Sequence, residues 1–326
     1  MKKISWGIIG CGDVTEVKSG PAFNKVKNSE LVAVMRRDAT KAEDYARRHG
    51  VSKWYADAHD LINDPGINAI YIATPPSSHE AYTLAALQAG KPVYVEKPMS
   101  VNTPSAENMM KAAIENKGKL VVAHYRRAQP LFKKIKSLLA ENIIGDTRFA
   151  RLSMCKRSLT KEELKIEKIA WRVDTALAGG GLFHDLAPHQ LDLMYYFFGE
   201  PKQAFGFANN QAGLYAADDI VTGNILFQNG VHVSGLWCFN VPVEEEKDEC
   251  EIVGEKGTIR FSFFEQNPVL VTIGNKTESF VFDTLQHVQQ PMIEQVVNYF
   301  LGEAPNPCAA EDGVTVMRLI EQFTSK

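Results

Sequence analysis

Cysteine is scarce in this chain. Its 326 residues hold five, Cys11, Cys155, Cys238, Cys250 and Cys308, an odd number with no CxxC pair among them. That argues against a disulfide framework or a thiolate zinc site, and fits reduced thiols in a cytoplasmic protein. A basic excess is missing as well: 36 Lys and Arg stand against 39 Asp and Glu, a formal net charge of -3. No surplus of cations is available to hold a nucleic-acid backbone, so nucleic acid is not an expected partner. Apolar stretches such as Ala69 to Ala73 fall far short of the roughly 20 residues a membrane span needs. The opening MKKISWGIIGCG is broken by glycines and has no cleavage site, so it reads as a first strand rather than a signal peptide. Internal repeats, low-complexity tracts and linkers are absent too. What remains is an ordinary globular composition, 45% hydrophobic and 23% charged, at a length that suggests two domains of about 150 residues each.

Residues 1–123 alternate short apolar runs with helical stretches. Strand candidates are Ile4 to Ile9, Leu31 to Met35, Ala69 to Ala73, Val93 to Val95 and Leu120 to Ala123. A helix starts near Asp13, and ATKAEDYARRHG ends at Gly50 as a C-cap should. Ser77 and Glu80 form a capping-box pattern, and Thr103-Pro104 marks another helix start. This alternation predicts an α/β, doubly wound parallel sheet of Rossmann type. Residues 124–326 read differently. Helices over Pro130 to Glu141 and His184 to Phe198 precede β-branched and aromatic runs, with Asn229-Gly230 and Asn275-Lys276 as hairpin turns, and helices near 291–301 and 312–324 end the chain. The expectation is an α+β domain with a mostly antiparallel open sheet and helices on one face.

The segment Gly10-Cys11-Gly12-Asp13-Val14-Thr15 follows a strand and opens a helix, the context in which GxGxx(G/A) marks a dinucleotide site. Gly10 permits the tight turn, and Gly12 lets a pyrophosphate approach the helix N-terminus. Thr15 replaces the usual small third residue and is expected to loosen helix-strand packing slightly. An acidic residue ending the second strand would bind a ribose 2'-OH, but here LVAVM runs into Arg36 and Arg37. Guanidinium groups hold a 2'-phosphate by charge-assisted bonds, so NADP(H) is favoured and NAD(H) stays possible. The alternative is that both arginines merely solvate a strand end.

Two further segments carry chemistry. VYVEKPMS runs a strand straight into Glu96, Lys97 and Pro98, either a strand end meeting water or a cleft lysine. GGGLFHDLAPHQLD, residues 179–192, joins a glycine loop to a helix on which Asp185 and His189 share a face. A surface pair, a metal site built on His184, Asp185, His189 and Asp192, and an acid-base pair in a cleft all compete there. Metal is disfavoured because His184 and Asp185 diverge by about 100 degrees on a helix and no HExxH-type pattern is present.

Taken in order, GIIGCG, EKP at 96–98 and GGGxxxDxxxH at 179–189 resemble the Gfo/Idh/MocA family of dinucleotide-dependent oxidoreductases. ATPPSSH, GKPVYVEKP, HYRR and DDIVTGNILFQNG add to that resemblance across nearly the whole chain. It implies a Rossmann domain followed by an α+β domain, a sugar, polyol or related small molecule bound between them, and a homodimer or homotetramer formed through the C-terminal sheet. By position it assigns Lys97, Asp185 and His189 to the catalytic group, and Tyr125, Arg126, Trp171 and Arg172 to substrate contacts. Thr74, Pro75, His79, Glu96 and Lys97 join Gly10, Gly12, Asp13, Val14, Arg36 and Arg37 as cofactor contacts, and Pro98 is expected to follow a cis bond. Hydride transfer needs a proton handled at the substrate oxygen, which Lys97 and His189 would do with Asp185 orienting the imidazole. A non-catalytic dinucleotide sensor and a trans-dihydrodiol-type dehydrogenase remain the alternatives.

Overall fold

Near-continuous apolar strands build the first compact unit. The computed structural model describes residues 2–325. In this unit β1 (Ile4–Ile9), β2 (Ser29–Met35), β3 (Lys53–Tyr55), β4 (Ala69–Ile72), β5 (Val93–Val95) and β6 (Leu120–Val122) form one six-stranded sheet in the order β3-β2-β1-β4-β5-β6. Every neighbouring pair is parallel. Ile8, Ile9, Ile70, Ile72, Val93 and Val95 are wholly buried, as strands covered on both faces require. The strands finish level: Ile9 pairs with Met35 and Ile72, Ile72 with Val95, and Val95 with Val122. Strand order reverses between β1 and β4, and open α/β sheets bind ligands beyond the carboxyl ends of strands at such a point.

Helices α1 (Asp13–Val17), α2 (Ala39–His49), α3 (Ala58–Asn63), α4 (His79–Gln88) and α5 (Thr103–Glu115) fill the connections. Asp38 caps α2 by accepting the Lys41 N–H, and Gly50 ends it in the left-handed conformation. Asn102 caps α5, with Pro104 in its first turn. The capping box expected at Ser77 does not form. Pro76 opens a short 3-10 turn, so α4 begins only at His79, and the Ser78 hydroxyl lies 2.8 Å from Thr74 Oγ1 and 3.0 Å from the Pro75 carbonyl.

A single boundary after residue 123 does not describe the compact units. Residues 1–128 cluster with 285–317, and 129–284 with 318–326. The return segment belongs to the first unit because it completes its core. Phe300 packs 5.5 Å from Trp6, the Lys119 ammonium caps the carbonyls of Tyr299 and Phe300 at 2.8 and 3.0 Å, and Arg127 pairs with Asp312 at 3.0 Å.

The second unit contains α6 (Pro130–Ala140), β7 (Thr147–Arg157), α7 (Glu167–Val173), α8 (Thr175–Ala178), α9 (Gly181–Phe198), β8 (Pro201–Asn209), β9 (Ile220–Phe227), β10 (His232–Val241), β11 (Lys247–Gly254), β12 (Gly257–Phe261), β13 (Val269–Ile273) and β14 (Lys276–Phe280). Its eight-stranded sheet runs β14-β13-β12-β11-β7-β10-β9-β8, antiparallel except for the β7-β10 pair. Asn229-Gly230 does turn β9 into β10, whereas the last hairpin turns at Gly274-Asn275, since Lys276 already pairs with Ile273. Helix α9 lies on one face, where Phe183 meets Trp237 at 5.1 Å and Phe198 meets Phe227 at 5.5 Å. The final helices are α10 (Gln290–Leu301) and α11 (Ala310–Thr324). Phe323 of α11 fills the space over Gly206 and Gly223 on that same face of the sheet. The opposite face leaves Phe149, Phe205, Phe207 and Leu270 exposed.

Candidate active site

The level strand ends decide which residues meet in the first unit. Gly10 follows β1, Arg36 follows β2, Ala73 and Thr74 follow β4, Glu96 and Lys97 follow β5, and His124 and Tyr125 lie just past β6. The ladder carries past the ends, with Ala73 N–H on the Ile9 carbonyl and Glu96 N–H on the Ile72 carbonyl, at 2.8 and 2.9 Å. Sequence-separated candidates therefore share one edge.

At Gly10, φ is +94° and a Cβ would sit 2.8 Å from the Thr74 backbone nitrogen, so only glycine makes this turn. A Cβ on Gly12 would meet nothing nearer than 4.0 Å, which leaves that backbone open to approach. Asp13 and Val14 begin α1 directly behind it. Thr15 does not loosen the packing. It is fully buried, its hydroxyl donates to the Gly12 carbonyl at 2.8 Å, and its own carbonyl accepts the Tyr45 hydroxyl at 2.8 Å. Gly20 makes that last contact possible, since a Cβ there would stand 2.3 Å from the Tyr45 oxygen. The Arg36 guanidinium reaches back over the loop to within 3.4 Å of the Cys11 carbonyl, and Arg37 is exposed beside it. Asp38 is engaged in capping α2. A loop of this shape with a cation over it fits a dinucleotide, and Gly10, Gly12 and Arg36 would hold it.

The Lys97-Pro98 bond is cis, as the family resemblance implied. Lys97 is half-buried, but Glu96 turns inward. One carboxylate oxygen accepts the Tyr71 hydroxyl at 2.5 Å and the Gln289 amide at 2.6 Å; the other accepts the Lys97 backbone N–H at 3.2 Å. His79 is also engaged from within. Its Nε2 faces the Thr74 carbonyl at 2.8 Å and its Nδ1 the Pro98 carbonyl at 3.1 Å. Glu96 and His79 are thus both held by groups of the chain itself, beside the Lys97 segment. Tyr125 is buried with the Arg126 guanidinium 5.7 Å from its ring centre.

In the second unit, α9 carries Asp185 and His189 one turn apart. The Arg172 Nε donates to Asp185 at 3.1 Å, and its guanidinium stacks 4.8 Å from the Trp171 ring, so the three predicted contacts from Trp171 to Asp185 form one cluster. The glycine run has a steric cause: a Cβ on Gly180 would strike the His184 ring at 2.0 Å, and one on Gly181 would strike Ala217. The His189 ring is buried and meets Phe264 edge-on at 5.5 Å. Buried Asp248 fixes that loop by accepting the backbone N–H groups of Phe263, Phe264 and Glu265 at 3.1, 2.6 and 2.9 Å. Sequence reading missed Asp248 and Gln289. An acid inside the β run KDECEIVG is a visible signal for the first, but QQPMIEQ offers none for the second. Among the described residues, no group of three or more His, Cys, Asp or Glu side chains is arranged to hold a metal ion, and no helix is long and apolar enough to cross a membrane.

A glycine loop at the switch point of a parallel sheet is the arrangement of a dinucleotide-binding domain. Residues 4–124 match the oxidoreductase family Gfo/Idh/MocA, NAD-binding Rossmann fold, and residues 132–260 match the Gfo/Idh/MocA C-terminal domain. The chain belongs to this family, and is an NAD(P)-dependent dehydrogenase or reductase. It is 46% identical to Oxidoreductase P35 of Formosa agariphila across 98% of both chains. It is 32% identical to trans-1,2-dihydrobenzene-1,2-diol dehydrogenase of Oryctolagus cuniculus, over 78% of this chain and 72% of the relative. It is 28% identical to 1,5-anhydro-D-fructose reductase of Ensifer adhaerens, over 69% and 66%. The fold matches levoglucosan dehydrogenase in complex with NADH at a TM-score of 0.89 and 20% identity, covering 98% of this chain and 96% of that one.

Burial pushes three histidines down from an ordinary 6.5: His79 to about 4, His124 to about 3 and His184 to about 4. Their folded values lie below the unfolded one, so between pH 6.5 and about 4 the unfolded chain binds more protons and stability falls as pH falls, by about 1.4 kcal/mol per pH unit for each histidine. Glu16, held near 2 chiefly by the Arg48 guanidinium, keeps its stabilisation above its ordinary 4.5 and loses it only as pH falls from there toward 2. Urea midpoints measured from pH 7 to 5 are therefore expected to drop steeply, and His124→Gln to flatten the slope; a level wild-type profile would refute this account.

Proposed function

We propose that this chain transfers a hydride between NADP(H) and a carbonyl or secondary alcohol of a sugar, polyol or inositol-like substrate, with Lys97 and His189 handling the proton. The observation that carries this reading is the position of Lys97. It follows β5 at the sheet edge that also presents Gly10 and Gly12, on a segment braced from behind by Glu96 and His79. When bound, the nicotinamide supplies the hydride chemistry. Lys97 and His189 both contact the oxygen as it gains charge; one of them, as ammonium or imidazolium, gives it the single proton the reduction needs, and the same group, as amine or imidazole, accepts the alcohol proton in the reverse direction. Asp185 orients His189, and the Arg172-Asp185 pair beside the Trp171 ring offers donors, acceptors and an apolar face to a polyhydroxylated ring. Reduction of 1,5-anhydro-D-fructose by a 28% identical relative supports a sugar-like substrate. Relatives named as trans-dihydrodiol dehydrogenases, 29–32% identical, favour a second reading in which the substrate is a trans-diol.

Arg36 over the glycine loop, with Asp38 turned away, supports NADP(H) over NAD(H). The exposed Phe149, Phe205 and Phe207 support a second copy of this chain docking on the open sheet face. Five buried free thiols fit a cytoplasmic setting.

Consumption of NADPH is the first measurement, against ketoses, aldoses, inososes, dicarbonyls and trans-dihydrodiols. Lys97→Ala is expected to lower kcat by about 10²–10⁴-fold, far more than it weakens cofactor binding. Tight NADPH binding with no turnover across the panel would mark a sensor instead. Arg36→Ala should weaken NADPH by about 10–100-fold, the loss of charge-assisted bonds, while NADH binding barely changes. Equal wild-type Kd values for the two cofactors would remove the NADP(H) preference. In light scattering we expect a multiple of the chain mass for the wild type and a smaller species for Phe207→Asp; a wild-type monomer would refute the interface.

A further inference from the structure

Glu96 is 6% exposed, yet it belongs to the segment that presents Lys97. A carboxylate so deeply placed needs donors, and the chain brings two of them from distant places. Tyr71 on β4 and Gln289 at the entry to α10 both donate to Oε1, at 2.5 and 2.6 Å. Gln289 is itself fixed: its Oε1 accepts the Tyr94 hydroxyl at 3.0 Å, and its backbone N–H reaches the Lys18 carbonyl at 3.2 Å. His287 adds a contact of 2.5 Å to the Val17 carbonyl. Ser19 Oγ stands 3.1 Å from the Tyr71 hydroxyl. Tyr71, Tyr94, Ser19 and Gln289 are all completely buried. The remaining carboxylate oxygen takes the backbone N–H of Lys97. The return segment thus grips the C-terminal end of α1, behind the glycine loop, and the strand end that bears the lysine.

We propose that Gln289, together with Tyr71, is a positioning residue for the reaction. Through Glu96 it sets the direction in which the backbone delivers Lys97, an inference that rests on Lys97 carrying the proton. Gln289→Met keeps volume and removes the amide donor. It is expected to lower kcat at least about tenfold, as misplacement of a reacting group by a fraction of an ångström does. The KM for substrate and the Kd for NADPH should stay within about twofold, because only the proton-transferring group has moved. Gln289→Glu supplies a conservative rescue. Two buried carboxylates side by side retain one shared proton, which restores a donor to Glu96. Of the neighbouring tyrosines, Tyr71 donates to Glu96 and Tyr94 to Gln289, and burial drives both well above an ordinary 10, so they do not titrate in this range. The kcat of Gln289→Glu should therefore approach that of the wild type on the acid side and fall as the shared proton leaves, while Gln289→Met shows no such recovery.

Thermal unfolding and NADPH titration of each variant report the folded, cofactor-competent fraction, and Tyr71→Phe removes the second donor with almost no change in shape. A wild-type kcat in both Gln289→Met and Tyr71→Phe overturns the proposal. So does a loss of kcat that merely tracks the folded fraction, with no acid recovery in Gln289→Glu. Lys97→Ala separates the two readings: if it stays active, the lysine assignment fails and this proposal falls with it. An inactive Lys97→Ala beside an unimpaired Gln289→Met removes the positioning role alone.

Discussion

Parallel pairing that ends level across the first sheet is the constraint from which the site follows. Each strand contributes its last residue to the same edge because Ile9, Met35, Ile72, Val95 and Val122 are tied in register by backbone hydrogen bonds. Slanted parallel ladders fix that alignment without reference to side chains. The glycine turn, the arginine after β2 and the lysine after β5 then need only sit one or two positions beyond the strand ends. A slip of one residue in any pair would move its contribution by about 3.3 Å and turn the side chain to the other face.

Buried carboxylates, more than surface ion pairs, hold the two halves of the chemistry in place. Exposed pairs such as Arg47-Asp44 and Lys111-Glu115 are screened by water and contribute little. Glu96 and Asp248 are buried and accept three donors each. Hydrogen bonds to charged groups contribute about 1.5–3 kcal/mol each, and an acceptor stranded by loss of its donor costs about as much. Each carboxylate stands behind a proposed proton-handling residue, Glu96 directly behind Lys97 and Asp248 two steps from His189, behind the Phe264 residue whose ring meets it. The two units therefore use the same device on different scaffolds.

What the sequence discloses depends on how local the cause is. Gly10 is legible because turn and helix start lie within five residues, and Asp185 with His189 because helical spacing is fixed. The outer strand β8 escapes a pattern search since its alternation is inverted: small Ala204, Gly206 and Ala208 face inward, where Phe323 supplies the bulk, and Phe205 and Phe207 point out. The Lys-Trp-Tyr of β3 is too short and too exposed to stand out. The family resemblance carried the catalytic assignments, but it left Glu96 without an explanation. Its donor Gln289 lies 193 residues away, beyond any spacing rule.

That separation has a consequence for how the protein is made. A ribosome releases the glycine loop, β4, β5 and the lysine segment early, and residues 287–289 only after residues 129–284 of the second unit have been synthesised. Until then the Glu96 carboxylate lacks one of its donors, and the carbonyls at the end of α1 lack their caps. The nucleotide-binding half is thus begun first but completed late, and its completion requires closing a loop of nearly two hundred residues, the kind of non-local contact that slows folding.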